Sequence, residues 1–217
     1  VNKTVSTLGS YSNLYWDCVK TGEFIYCIGE GNVMKINTTN DSISFFGPYS
    51  GTYTACDIAI NGDIYAVGIS NKILKISTSD DTITEIDQTG ISALFSCTTG
   101  ENGNIYAVGA YRVMEIRSSD DAISYFGNIS GDTIPYDSAL SSDGLIYAAG
   151  GIAPNAKVIS VNTSSRQIFE TEGQSSGTAL TMSSGGNGVY VGGQSMGDRI
   201  AVTGSSYAVE DKVILTS

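Results

Sequence analysis

Asn61-Gly62-Asp63-Ile64-Tyr65-Ala66-Val67-Gly68, followed after three residues by Lys72-Ile73-Leu74-Lys75-Ile76-Ser77-Thr78-Ser79-Asp80-Asp81-Thr82-Ile83-Thr84-Glu85-Ile86, decides the architecture. The same phrase returns four more times. Its marker pair falls at Ile25-Tyr26, Ile64-Tyr65, Ile105-Tyr106, Ile146-Tyr147 and Val189-Tyr190, at intervals of 39, 41, 41 and 43 residues. A period of this length marks a repeat protein whose units cannot bury their apolar faces alone and must stack on one another.

Each unit reads as four short strands. In the second, the spacing predicts an innermost strand over Tyr53–Ile60, a tight turn at Asn61-Gly62, and strands over Asp63–Gly68, Lys72–Ser77 and Thr82–Ile86. Thr82 and Thr84 nearly separate by face from Ile83 and Ile86, close to a period of two. The turns before the outer strands carry Asn40-Asp41, Asp80-Asp81, Asp120-Asp121 and Ser164-Ser165. Short polar side chains bond the local backbone there and tolerate the left-handed conformation.

Composition agrees. At 217 residues the chain is long enough to bury most of its apolar surface without disulfides. Charged residues are only 15%, and Gly, Ser and Thr are plentiful, which suits strands and turns rather than long surface helices. A net charge of −11 repels phosphate backbones and anionic lipid, so nucleic acid and membrane surfaces are not expected partners. No apolar run reaches the ~20 residues of a membrane span. The first residue is Val, from which a processed protein or an excised domain is expected. There is no histidine at all, which removes imidazole-assisted serine or cysteine nucleophiles and imidazole-bound zinc.

Five four-stranded units without helices predict an all-β fold, a five-bladed β-propeller of antiparallel blades in a single domain over 1–217. The blades are expected at about 10–47, 48–87, 88–127, 128–172, and 173–217 completed by 1–9. The units, of the form Asn-Gly-x-Ile-Tyr-Ala followed by a Lys-rich third strand and an Asp-Thr-Ile-Thr outer strand, resemble YVTN/NHL-like (quinoprotein-like) propeller repeats. Such repeats occur in bacterial and phage surface proteins, so the resemblance implies a propeller but no activity. Lys212–Ser217 reads as a third strand with no fourth after it, and Asn2–Gly9 as a fourth with nothing before it. The N-terminal strand is therefore expected to complete the last blade and close the ring, leaving Ser195–Asp211 as an insertion. The rival reading makes Arg199–Val202 and Tyr207–Val209 the last two strands.

Three sets of residues could carry chemistry. Cys18, Cys56 and Cys97 share one position on the innermost strands, with Ser138 and Thr181 in the other units; this reads as a small core residue rather than a thiolate metal site, and Cys27 as another. Asp17 and Asp137 match one another, with Asp57 and Asp132 as possible companions, and paired carboxylates can act as acid and base on a glycoside. The third set is aromatic and amide: Tyr11, Tyr15, Tyr49, Tyr53 and Tyr111 with Asn13 and Asn128, on loops expected at one face, while Trp16, Phe95 and Tyr136 share a strand position and are expected to wedge between blades. Rings beside amides suit a neutral sugar or a protein loop.

The function expected from sequence is a non-enzymatic recognition or adhesion module of a surface or virion appendage. It would lie outside the cell or on a virion, bind glycan or protein through the aromatic face, need no cofactor or metal, and gain avidity from a multivalent assembly. The alternatives are a structural block of a capsid, sheath or filament, and a glycosidase- or lyase-type propeller enzyme. Five Asn-x-Ser/Thr triplets, at Asn2, Asn37, Asn40, Asn128 and Asn162, follow from the composition and carry little weight.

Overall fold

The computed structural model describes residues 12–87, 93–109, 111–130, 134–150, 157–172, 178–185, 188–194, 199–203 and 206–210. They form strands and turns. The first unit contains β1 (Tyr15–Thr21), β2 (Phe24–Gly29), β3 (Val33–Asn37) and β4 (Ile43–Phe46), and the second β5 (Tyr53–Ile58), β6 (Ile64–Gly68), β7 (Lys72–Ile76) and β8 (Ile83–Asp87). The third contains β9 (Leu94–Thr99), β10 (Ile105–Gly109), β11 (Arg112–Ile116) and β12 (Ile123–Asn128), and the fourth β13 (Pro135–Leu140), β14 (Leu145–Gly150), β15 (Lys157–Asn162) and β16 (Gln167–Glu172). In each, the four strands pair antiparallel in chain order. A further set, β17 (Thr178–Gly185), β18 (Gly188–Gln194), β19 (Arg199–Thr203) and β20 (Ser206–Glu210), pairs in the same order.

The repeated phrase explains how the sheets stack. On β6, Ile64 and Ala66 join the core shared with the first sheet, whereas Tyr65 and Val67 join the core shared with the third. Period-two alternation thus gives the strand two apolar faces, and all four side chains are fully buried. The pattern recurs in the third sheet, whose Tyr106 and Val108 pack toward Ile146 and Ala148 of the fourth. Successive innermost strands, β1, β5, β9, β13 and β17, lie side by side.

A polar lock repeats at the first three junctions. The turn residues Asp41, Asp81, Asp121 and Arg166 have φ of 56–59°, a conformation that Asx residues enter at least cost. Asp81 accepts Lys35 Nζ at 2.7 and 2.8 Å and the Tyr26 hydroxyl at 3.3 Å from the preceding sheet. Asp121 does the same for Lys75, at 2.8 Å to each oxygen, and for the Tyr65 hydroxyl. At the next junction the polarity reverses: Arg166 donates to Glu115 at 2.9 Å, and Tyr106 donates to Glu115 at 3.0 Å. The residue two before each tyrosine follows suit. Phe24 lies under Lys35 at 4.2 Å, Asp63 pairs with Lys75 at 3.2 Å, and Asn104 donates to Glu115 at 2.8 Å.

The structure corrects the reading of the last unit. Arg199–Thr203 and Ser206–Glu210 are its third and fourth strands, not an inserted hairpin, because β19 pairs with β18 and β20 with β19 in continuous register. Residues 1–11 and 211–217, on which ring closure was expected to depend, lie outside the described residues. One face of the first sheet is also more open than its equivalents: Cys18 is exposed and Ile25 and Ile36 are half-buried, whereas Cys56, Ile64 and Ile76 are buried.

Candidate functional site

An innermost strand has a ladder partner on only one edge, and its other edge presents unpaired N–H and C=O groups toward the centre of the stacked sheets. Aspartates cover that edge. Asp17 Oδ1 accepts Cys18 N and its Oδ2 accepts Cys56 N of the next sheet, both at 2.8 Å. Asp57 accepts Ile58 N at 2.8 Å and Thr99 N of the third sheet at 2.7 Å. Asp137 accepts Ser138 N at 2.9 Å. Each of the first two carboxylates thus clamps one inner strand to the next.

All three carboxylates line one cavity of about 380 Å³, together with Cys56, Cys97, Thr98, Thr99 and Ser138. Among the described residues no Lys or Arg lines it. Asp17 and Asp137 stand at one level, since Cys18 and Ser138 pair with equivalent residues Cys27 and Ala148. Asp57 lies one residue after Cys56 rather than one before it, so it sits two residues further along, roughly 7 Å at the rise of a strand. Burial, and then the negative charge of Asp137, raise the Asp17 carboxyl above the ordinary range against the pull of its two backbone donors. Burial together with the nearby aspartates pushes the thiols of Cys56 and Cys97 well up. They keep their protons at neutral pH, which argues against a thiolate site.

Around this cavity the inner strands carry bulges. Ladder register shifts between Tyr15 and Asp17, between Tyr53 and Ala55, and between Pro135 and Asp137, and at the equivalent place Ser96 and Leu94 pair with successive residues Val108 and Gly109. The residues skipped are Trp16, Thr54, Phe95 and Tyr136. The facing glycine makes this possible: a Cβ on Gly29, Gly68 or Gly150 would stand only 1.8, 2.1 or 1.9 Å from a carbonyl oxygen of the bulged strand. A bulge turns a side chain out of the ladder. Trp16 is accordingly 56% and Tyr136 39% exposed, which corrects the expectation that these two wedge between sheets. They immediately precede Asp17 and Asp137.

The sequence-derived binding set disperses. Tyr49 and Tyr53 are built into the core between the first two sheets, 5.3 Å apart edge to face, with the Tyr49 hydroxyl donating to Asn32 O at 2.9 Å. They form no exposed platform, because a ring between two stacked sheets buries the most apolar area. Tyr15 and Asn13 do come together, both donating to Asn32 Oδ1, at 2.7 and 2.9 Å. Tyr111 is half-exposed and Asn128 exposed, side by side on the third sheet, where Arg112 pairs with Asn128. Tyr11 and Asp132 lie outside the described residues. Sequence reasoning missed the collar of bulge residues and the place of Thr98 and Thr99. The signal available was the recurrent Gly closing each second strand.

The chain matches no protein-family model and no curated protein sequence. Among solved structures it resembles the virginiamycin B lyase of Staphylococcus aureus at 16% identity and a TM-score of 0.77, covering 91% of this chain and 69% of that one. A form of that lyase with quinupristin, described as catalytically inactive through replacement of one histidine by alanine, matches at 15% identity and a TM-score of 0.60, over 92% of this chain and 87% of that one. A streptogramin B lyase matches at 15% identity and a TM-score of 0.79, over 94% and 72%. The β-propeller domain of Myceliophteria thermophila Cps50 (Swd1) matches at 10% identity and a TM-score of 0.67, over 90% and 73%. The likeness shows a propeller-like fold of four-stranded blades. It also overturns the expectation that the chain is no enzyme, since structures of this same fold include lyases.

Proposed function

We propose that the cavity between the innermost strands is the catalytic site of a lyase- or glycosidase-type enzyme acting on a saccharide. The observation that carries this is the convergence of Asp17, Asp57 and Asp137 in one cavity that no Lys or Arg lines among the described residues. Like charges brought together separate the affinities of carboxyl groups for a proton, which is how one site holds an acid and a base. Asp17, whose carboxyl is raised, serves as the acid that protonates the departing oxygen. Asp137 takes a proton in the same step, from the carbon next to the breaking C–O bond in an elimination or from water in a hydrolysis. Asp57 accepts Thr99 N and fixes β9, the innermost strand of the third sheet, against β5 of the second.

Two further observations support the reading. The exposed rings of Trp16 and Tyr136 stand one residue from the acid and the base, where an apolar sugar face can rest. The lyase form described as inactive lacks one histidine, and the present chain contains none. In this reading the carboxylates that line the cavity take the proton-transfer role.

The test is incubation of the full chain with a polysaccharide panel, followed by Asp17→Asn and Asp137→Asn. An unsaturated product means elimination, and a new reducing end without unsaturation means hydrolysis. Each variant is expected to lose at least ~100-fold in turnover, the range of a positioned acid or base. Turnover unchanged in both variants, or absent from the wild type across the panel, refutes the proposal.

A further inference from the structure

Away from the cavity, the first sheet sets two thiols opposite one another. Cys18 of β1 and Cys27 of β2 are direct partners in its antiparallel ladder. Directly opposed residues point to the same face of a sheet, and their Cα atoms lie about 4.5–5.5 Å apart. A disulfide spans Cα separations of about 4.4–6.8 Å, so the backbone already holds this pair at bonding range. The equivalent rungs of the next three sheets are Cys56 with Ala66, Cys97 with Ala107 and Ser138 with Ala148. None of these rungs has more than one thiol, although the same need for small side chains applies to all four.

The pair also lies on the accessible side of its sheet. Tyr26 and Ile28, which flank Cys27, join the core shared with the second sheet, so alternation turns Cys27 and Cys18 the other way, onto the open face of the first. Cys18 is exposed. Cys27 is 8% exposed, and its thiol is pushed up to about 11, by burial first and then by the adjoining Cys18 thiol. One thiol is therefore open to a reagent in solution, while its partner is shielded and keeps its proton. Neither lines the cavity.

We infer that Cys18 and Cys27 are a redox-active dithiol, a modification site for low-molecular-weight disulfides that closes reversibly into a cross-strand disulfide between β1 and β2. The Cys18 thiolate attacks one sulfur of the small disulfide and expels the other as a thiolate, which takes up a proton. Cys27 then gives up its own proton, attacks Cys18 Sγ and expels the second small thiolate, which is protonated in turn. Two protein thiols lose two electrons and two protons, one S–S bond forms between them, and one small disulfide is reduced to two thiols.

The test takes the full chain, reduced with a phosphine and then freed of it, and exposes it to oxidised glutathione at neutral pH. Remaining thiols are capped with N-ethylmaleimide, and the protein is mapped by mass spectrometry. The expected product has lost two hydrogens, keeps two of its four thiols, carries no glutathione and yields a linked Cys18–Cys27 peptide that dithiothreitol splits. Cys27→Ala, which installs the residue found at Ala66, Ala107 and Ala148, is expected to stop at glutathione bound to Cys18. Cys18→Ser is expected to leave its remaining thiols intact over the same time. The map of the unaltered protein decides the matter even if a variant folds poorly. A lasting glutathione adduct on Cys18 of the wild type, a link that includes Cys56 or Cys97, or four intact thiols after exposure overturns the dithiol.

Discussion

The reversed lock between the third and fourth sheets makes a sharp test of how the sheets are held in order. Lys75 Nζ lies 2.8 Å from both Asp121 oxygens and 3.2 Å from Asp63, and these three side chains are a fifth to a third exposed. Hydrogen bonds to charged groups contribute about 1.5–3 kcal/mol when shielded, and solvent screening at this exposure removes part of that. Lys75→Met should therefore cost about 2 kcal/mol, leaving Asp63 and Asp121 without their shared cation. At about 2–4 °C per kcal/mol for a chain of this size, the melting temperature should drop by about 4–8 °C. Lys75→Glu should cost more, since three carboxylates then meet. The next junction supplies the remedy: adding Asp63→Asn and Asp121→Arg recreates the set Asn104, Glu115 and Arg166, and Arg166 already tolerates φ of 56° at this turn. The triple variant should recover to within about 1 kcal/mol of wild type in circular-dichroism melts and urea titrations. If it is no more stable than Lys75→Glu alone, the polar groups are bystanders and apolar stacking sets the order of the sheets by itself.

Thiol chemistry distinguishes the open face of the first sheet from its buried equivalents. N-ethylmaleimide followed by mass spectrometry should label Cys18 fast and Cys27, Cys56 and Cys97 slowly, burial having pushed Cys27 up to about 11; equal protection of Cys18 would mean that this face is covered in solution. Acid should weaken the protein partly through Glu85, which Lys72 and then the Ser50 amide hold down to about 2. A carboxyl depressed below its unfolded value of about 4.3 contributes fully above that value and loses its contribution as pH falls toward 2. Glu85→Gln should flatten the fall in melting temperature between about pH 5 and 2, and an unaltered slope would remove Glu85 from the acid response. Gly68→Ala should be strongly destabilising, because its Cβ would stand 2.1 Å from Thr52 O; a melting temperature within a degree of wild type would show that the bulge is not required.

Much of the fold could be read from the chain because its signals are local. The Ile-Tyr pairs, the Asn-Gly turn and the Asx pairs fix strands to within a residue or two: Lys72–Ser77 was expected and Lys72–Ile76 is found. The last unit misled because Lys212–Ser217 imitates a third strand in composition, whereas backbone pairing, which composition does not encode, selects Arg199–Thr203. The site was legible only in part. Asp17 and Asp137 declared themselves by equivalent position, but Asp57 is displaced by two residues along its strand and shares the cavity through three-dimensional stacking. Trp16 and Tyr136 looked like wedges because alternation assigns them a face; a bulge, which a glycine on the neighbouring strand permits, turns them away from it. Tyr49 and Tyr53 looked like loop residues because they lie between strands or at a strand's start, yet both are under a tenth exposed.

Whether Asp17 and Asp137 share one cavity can be read from the titration of Asp17 itself, followed by carboxyl carbon NMR in the wild type and in Asp137→Asn. The Asp17 carboxyl should titrate above an ordinary aspartate and move part of the way back when its neighbour loses its charge. An Asp17 titration that is ordinary in the wild type, or that ignores Asp137→Asn, would contradict the paired acid and base.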